Sequence, residues 1–248
     1  MRSKMKFSTA LLCSGLLLTA AAESAVSVII NDTSYQFATN PRLSEVLAPA
    51  ALTSVWYWPA SALFKLDSNK PEQLRQQLLQ QIAELKLHNA TDSDLVFTLQ
   101  SLERQLVSWR LAQRILLPID YDFARTRPEL NPRFDDGAYL LQLKLRPNHV
   151  HIFGAVSSGT RVPHRGAVAA AEYMVSVEPT PLAKVDEVML VQPDGKVQTV
   201  GVSYWNRTHI EAMPGAQIFI PLQSRLFNSQ LEILNQRLLE LAIHRVLS

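Results

Sequence analysis

Between His149 and Leu222 the chain alternates short apolar runs with turn chemistry and leaves little room for helix. Val150, Ile152, Phe153, Ala155 and Val156 lead into Ser157-Ser158-Gly159-Thr160, a turn-rich break before Arg161-Val162-Pro163. Two strands meeting at such a break form a hairpin. Ala167 to Met174 is rich in Ala and free of Gly and Pro, which predicts two helical turns closed by Pro179 and Pro181. A second hairpin follows from Val188–Val191, Gln192-Pro193-Asp194-Gly195 and Lys196–Val200, because an Asp-Gly step suits the backbone of a tight turn. Pro214-Gly215 then launches a last strand, Gln217 to Pro221. Strand, strand, short helix and further strands in one compact stretch predict a small α+β roll whose sheet wraps a helix.

The first half opens in the same way. Ala25–Ile30 and Ser34–Ala38 read as strands around Asn31-Asp32-Thr33, and Leu43–Leu52 reads as a short helix. Two stronger helices interrupt this copy. Leu74, Leu78, Ile82 and Leu85 recur at helical spacing in Lys70–Leu87, with Asn69 as N-cap and Pro71 in the first turn. Leu95, Leu99, Leu102, Leu106 and Trp109 do the same in Asp92–Gln113, with Thr91 as cap. Only His88-Asn89-Ala90 separates them, which forces an antiparallel hairpin, 70–113. Strands are predicted again at Ile115–Ile119 and Ala138–Leu145.

Met1–Ala22 has a basic opening (Arg2, Lys4, Lys6), a leucine-rich middle and Ala20-Ala21-Ala22, the pattern of a secretory signal cleaved after Ala22. Cys13, the single cysteine, lies inside it behind Leu12, which does not suit lipid attachment, and the mature chain has no thiol chemistry. Taking those three cations from 24 basic against 22 acidic residues leaves a mature net charge of about −1, which gives no electrostatic reason to expect nucleic acid. Ser229–Leu247 is amphipathic, with Leu231, Leu234, Leu238 and Leu241 on one side and Glu232, Gln236, Glu240 and His244 on the other. It is too charged to span a bilayer, so it either packs on its own domain or docks on a partner or membrane surface.

His151–Pro163 (His-Ile-Phe-Gly-Ala-Val-Ser-Ser-Gly-Thr-Arg-Val-Pro) and Met213–Pro221 (Met-Pro-Gly-Ala-Gln-Ile-Phe-Ile-Pro) resemble the opening and closing strands of a soluble-ligand-binding β-grasp domain. Together with Tyr204–Glu211 and Val55–Ala60 (Val-Trp-Tyr-Trp-Pro-Ala), the pattern resembles the GfcC family of capsule-biosynthesis proteins across nearly the whole mature chain. The resemblance implies an α+β fold of two β-grasp (ubiquitin-like) domains, 23–147 with the helical hairpin inserted and 148–222, followed by the C-terminal amphipathic helix in 223–248. It further implies a periplasmic, non-catalytic protein related in fold to domains of Wza-type outer-membrane exporters. Its expected partners are polysaccharide and the outer-membrane exporter or other capsule-secretion proteins. In those exporters a C-terminal amphipathic helix builds the outer-membrane channel.

No nucleophile elbow, phosphate loop, dinucleotide fingerprint or zinc-protease helix occurs in the sequence, and no cofactor is expected. His149 and His151 face one side of a strand, but a third zinc ligand would have to come from His164, His209 or a distant carboxylate, and no metal is expected. Asp120, Asp122, Glu129, Asp135 and Asp136 gather near the middle of the chain, which keeps a hydrolase or lyase open as an alternative, although Asp135-Asp136-Gly137 also reads as a turn. Arg114 closes the second predicted helix, where its charge meets the carbonyl end of the helix dipole. The resemblance places an arginine at the matching step, so Arg114 is a candidate for binding sugar carboxylates or phosphates. Trp58 and Trp205 are candidate sugar-stacking platforms.

Overall fold

The computed structural model describes residues 26–223 and 229–247; the expected signal and its cleavage point lie outside them. The chain builds two five-stranded sheets. The first contains β1 (Val26–Ile30), β2 (Thr33–Phe37), β3 (Ala62–Lys65), β4 (Gln113–Ile115) and β5 (Gly137–Gln142), in the order β2-β1-β5-β3-β4. β1 and β5 run parallel at its centre, and every other pair is antiparallel. The second contains β6 (His149–Gly154), β7 (Thr160–Pro163), β8 (Glu187–Val191), β9 (Val197–Gly201) and β10 (Gln217–Ile220), in the order β7-β6-β10-β8-β9. Here β6 and β10 are the parallel central pair, so the two sheets share one topology.

The first sheet buries Val26, Val28, Ile30, Leu63 and Leu141 against α1 (Leu43–Leu47) and α4 (Tyr121–Thr126). Asp120 caps α4 by accepting the Phe123 amide. Between β3 and β4 the chain leaves as the helical hairpin α2 (Lys70–His88) and α3 (Ser93–Val107). The cap of α3 is Asp92 and not Thr91: its carboxylate accepts the Leu95 amide at 3.1 Å. α3 also stops at Val107, six residues short of the expected end. The apolar pattern continues through Trp109 and Leu111, but the backbone there turns to pair with the C-terminal tail.

The hairpin packs on the second sheet. Leu78 and Ile82 of α2 and Leu99, Leu102 and Leu106 of α3 share one core with Val150, Ile152, Val188, Leu190, Ile218 and Ile220. α5 (Ser229–Ile243) completes this layer, with Leu231, Leu234, Leu238 and Leu241 fully buried and Arg237 reaching Gln77 and Gln81 of α2. The apolar side of the C-terminal helix is therefore occupied within this chain, and no described helix is long and apolar enough to cross a membrane. The two α-turns expected within the second sheet are instead a 3-10 segment, Ala170–Ser176, whose Tyr173 fills the core. Helices from elsewhere in the chain supply the bulk of that sheet's cover.

A cationic cleft where hairpin, second sheet and tail meet

β1 and β2 join through a tight turn in which Asn31 takes a φ of 51°. β6 and β7 pair only as far as Ile152 and Thr160, and residues 155–159 form a wide loop between the two strands. Two side chains from α3 hold that loop. Gln105 accepts the Gly154 amide and donates to the Gly154 carbonyl, both at 3.0 Å, so a side-chain amide replaces a neighbouring strand. The Ser101 hydroxyl lies 2.7 Å from the Val156 carbonyl and 2.9 Å from that of Ser157 and donates there. Apart from the half-buried Ser157 these groups are buried, so leaving any of them unpaired would cost about 1–3 kcal/mol each. Gly154 itself has a φ of 105°, and a Cβ there would run into the Ile220 carbonyl oxygen and the Phe219 ring.

The tail closes the third side. After α5, residues 244–246 lie antiparallel to residues 110–112: the Ala112 amide donates to the His244 carbonyl at 3.1 Å and the Val246 amide to the Arg110 carbonyl at 2.9 Å. This fixes Arg245, whose guanidinium lies 4.2 Å from the centre of the Trp109 ring, 5.5 Å from that of Phe153, and donates to Gln217 at 2.9 Å. Burial pulls its pKa to about 10, so it stays charged at neutral pH.

These elements enclose a cleft of about 830 Å³. Arg104 and Arg110 stand on its hairpin side, Arg161 on β7, Arg245 on the tail, and His151 in its floor. No carboxylate among the described residues lines it. His151 is only 7% exposed, and its pKa is pushed down to about 3, first by burial and then by the charges of Arg245, His149, Lys144 and Arg161. It is a neutral imidazole, stacked edge-on with His149 at 4.8 Å. β6 is an interior strand, so the two histidines are not a surface pair on a sheet edge. No group of three potential metal ligands occurs among the described residues.

The three residues singled out from the sequence do not converge. Arg114 lies on β4 and not at a helix end; its guanidinium donates to the Pro193 carbonyl in the β8–β9 turn, joining the two sheets. Burial lowers its pKa, nearby Asp194 opposes that, and its Nε has no hydrogen-bond partner among the described residues. It lines a second, much smaller cavity with Lys144 and Arg245. There burial, with help from Arg114, brings the Lys144 pKa to about 8. Trp58 is half-buried against the first core, beside Trp56, whose indole donates to the Ala50 carbonyl. Trp205 is 74% exposed on the loop after β9, and neither tryptophan lines either cavity. The clustered acids are exposed, or in Asp120 half-buried, and two take local roles: Asp120 caps α4, and Asp136 accepts from Asn40.

Sequence reading missed Arg104, Arg110 and Arg245, because Arg245 is distant in sequence from the other two and meets them only through the packing of hairpin and tail. One signal was present: Ser101, Gln105 and Asn235 are polar residues on the largely apolar buried faces of their helices. Asn235 grips the Leu222 backbone from α5 with two 2.9 Å bonds, as Gln105 grips Gly154.

Two family models match the chain. One, described as the N-terminal part of a capsule-biosynthesis family, GfcC, covers residues 22–146, and the other, its C-terminal part, covers residues 158–247. The Escherichia coli K12 protein YjbG, named as uncharacterized, is 26% identical over 206 residues, spanning 82% of this chain and 82% of its own.

Proposed function

The chain belongs to the GfcC family of capsule-biosynthesis proteins, and from that premise we propose that it is a non-catalytic accessory of capsule or O-antigen-capsule polysaccharide assembly or export. In this reading the protein is exported to the periplasm after cleavage behind Ala22. It binds polysaccharide in the cleft, and the outer-membrane exporter or another capsule-secretion protein is its protein partner. Each sheet is a β-grasp unit; a parallel central pair flanked by antiparallel hairpins, found twice in one order, supports that assignment.

The observation that carries the reading is that residues 151–161 of the segment His151–Pro163 provide His151 in the floor of the cleft and one wall of it. A glycosidase would need two carboxylates facing each other across a sugar. The clustered acids of this chain lie outside the cleft, in turns and caps. Deleting the coding sequence in its host should lower surface-attached polysaccharide, while purified protein leaves glycan end groups unchanged. Parental levels of surface capsule in the deletion strain would refute the accessory role, and new reducing or unsaturated ends would replace it with a hydrolase or lyase.

A further inference from the structure

The cleft gathers one sign of charge in a chain whose total charge is nearly balanced, 24 basic against 22 acidic residues. Four arginines line it, and no described carboxylate does. Arg104 and Arg110 form no salt bridge among the described residues. Behind the floor, Lys144 and Arg114 continue the same sign into the smaller cavity. Such an arrangement is costly for the free protein, because like charges around a partly dry cavity repel one another. The depressed Lys144 and His151 pKa values have burial as their first cause and this repulsion as their second. A volume of about 830 Å³ lies within the usual range of ligand clefts, roughly 300–1,000 Å³.

We propose that the cleft selects polysaccharide carrying anionic groups, carboxylate or phosphate, over neutral polysaccharide. This rests on the glycan-binding reading above and adds the charge of the ligand. The guanidinium groups supply forked donors that match the paired oxygens of either anion. Ser108, Ser157, Thr160, Gln142 and neutral His151 supply donors and acceptors for sugar hydroxyls. An anion seated among the arginines offsets the repulsion that adds to burial in holding His151 neutral, so its imidazole titrates at higher pH in the complex.

The test is a titration of the mature chain with capsular polysaccharide isolated from its own host, in three forms: native, carboxyl-reduced to primary alcohols, and dephosphorylated. Amide shifts at Arg104, Gly159 and Arg161 report the cleft. Native polymer should bind, and whichever treatment removes the recognised anion should weaken binding by at least about tenfold, an effect of about 1.4 kcal/mol. Raising salt should weaken native binding in parallel. The double variant Arg104→Gln/Arg110→Gln alters exposed side chains, so it should keep its melting temperature and lose about tenfold or more in affinity for native polymer only. Equal binding of native and fully neutralised polymer, or native binding by a polymer without acidic groups, overturns the charge selectivity and leaves the glycan reading standing. No binding of native polymer overturns both.

Discussion

Two sheets of the same strand order are covered in two different ways. The first supplies its own cover from α1 and α4, short helices placed between its own strands. The second has only a 3-10 segment of its own and takes α2 and α3 from the other sheet's sequence, with α5 from the end of the chain. Strand order therefore does not decide what closes a sheet. Cover from the first sheet's sequence also leaves a seam where three distant segments meet, and the cleft lies in that seam.

This contrast can be broken most sharply through the hairpin. Leu102→Ala should cost about 2–5 kcal/mol, as for other buried leucines. Hydrogen exchange should then quicken in β6 and β10, although residue 102 lies within the sequence of the first sheet. Leu47→Ala, a loss of similar size, should quicken β1 and β5 instead. Loss of protection in β1 on Leu102→Ala would show that the two cores are one cooperative unit.

The hairpin corners give a smaller effect. Gly154→Ala forces a side chain into left-handed backbone against Ile220 and Phe219 and should cost about 2–3 kcal/mol. At the corresponding corner of the first sheet, Asn31→Ala loses the acceptor for the Leu143 amide (2.9 Å) and should cost about 1 kcal/mol. Denaturant midpoints measure both, and equal values would remove the distinction between the braced corner and the tight one.

The gentlest probe is acid. The folded pKa of His151 is about 3 against 6.5 for a free imidazole, so between those values the unfolded chain binds more protons. The stability this contributes is complete above pH 6.5 and falls as pH drops toward 3. Between pH 7 and 5 the second sheet should lose about 2 kcal/mol that His151→Gln does not lose. β1 and β2 contain no histidine, so their exchange should stay level, whereas β4 is no control because its Arg114 amide donates to the His244 ring at 3.1 Å. Loosening of β1 over the same range would assign the acid effect elsewhere.

Local physics made much of this fold readable. Asp194-Gly195 marked its turn because glycine takes the φ of 90° required there. The leucine stripes at 74–85 and 95–106 marked both hairpin helices, because the stripe is the helix's own period. A stripe, however, does not name its partner, so the packing of α2 and α3 on the second sheet was invisible. Arg114 was misplaced for the same kind of reason: Trp109 and Leu111 continue a helical pattern, while pairing with residues 244–246 pulls the backbone straight. The cleft arginines were illegible because no two of Arg104, Arg161 and Arg245 share a segment.

The pairing of residues 110–112 with 244–246 also sets a timetable. The core of the second sheet draws on residues from 78 to 242, so about half the chain must be made before its first contacts form and nearly all of it before its last. Until α5 arrives, α2 has α3 beside it but lacks its second helical neighbour. Contacts so distant in sequence slow folding and prolong the exposure of half-built cores to aggregation. The first sheet can close with residue 142, more than a hundred residues before the end of the 248-residue chain, so the protein matures from one end and waits on the other.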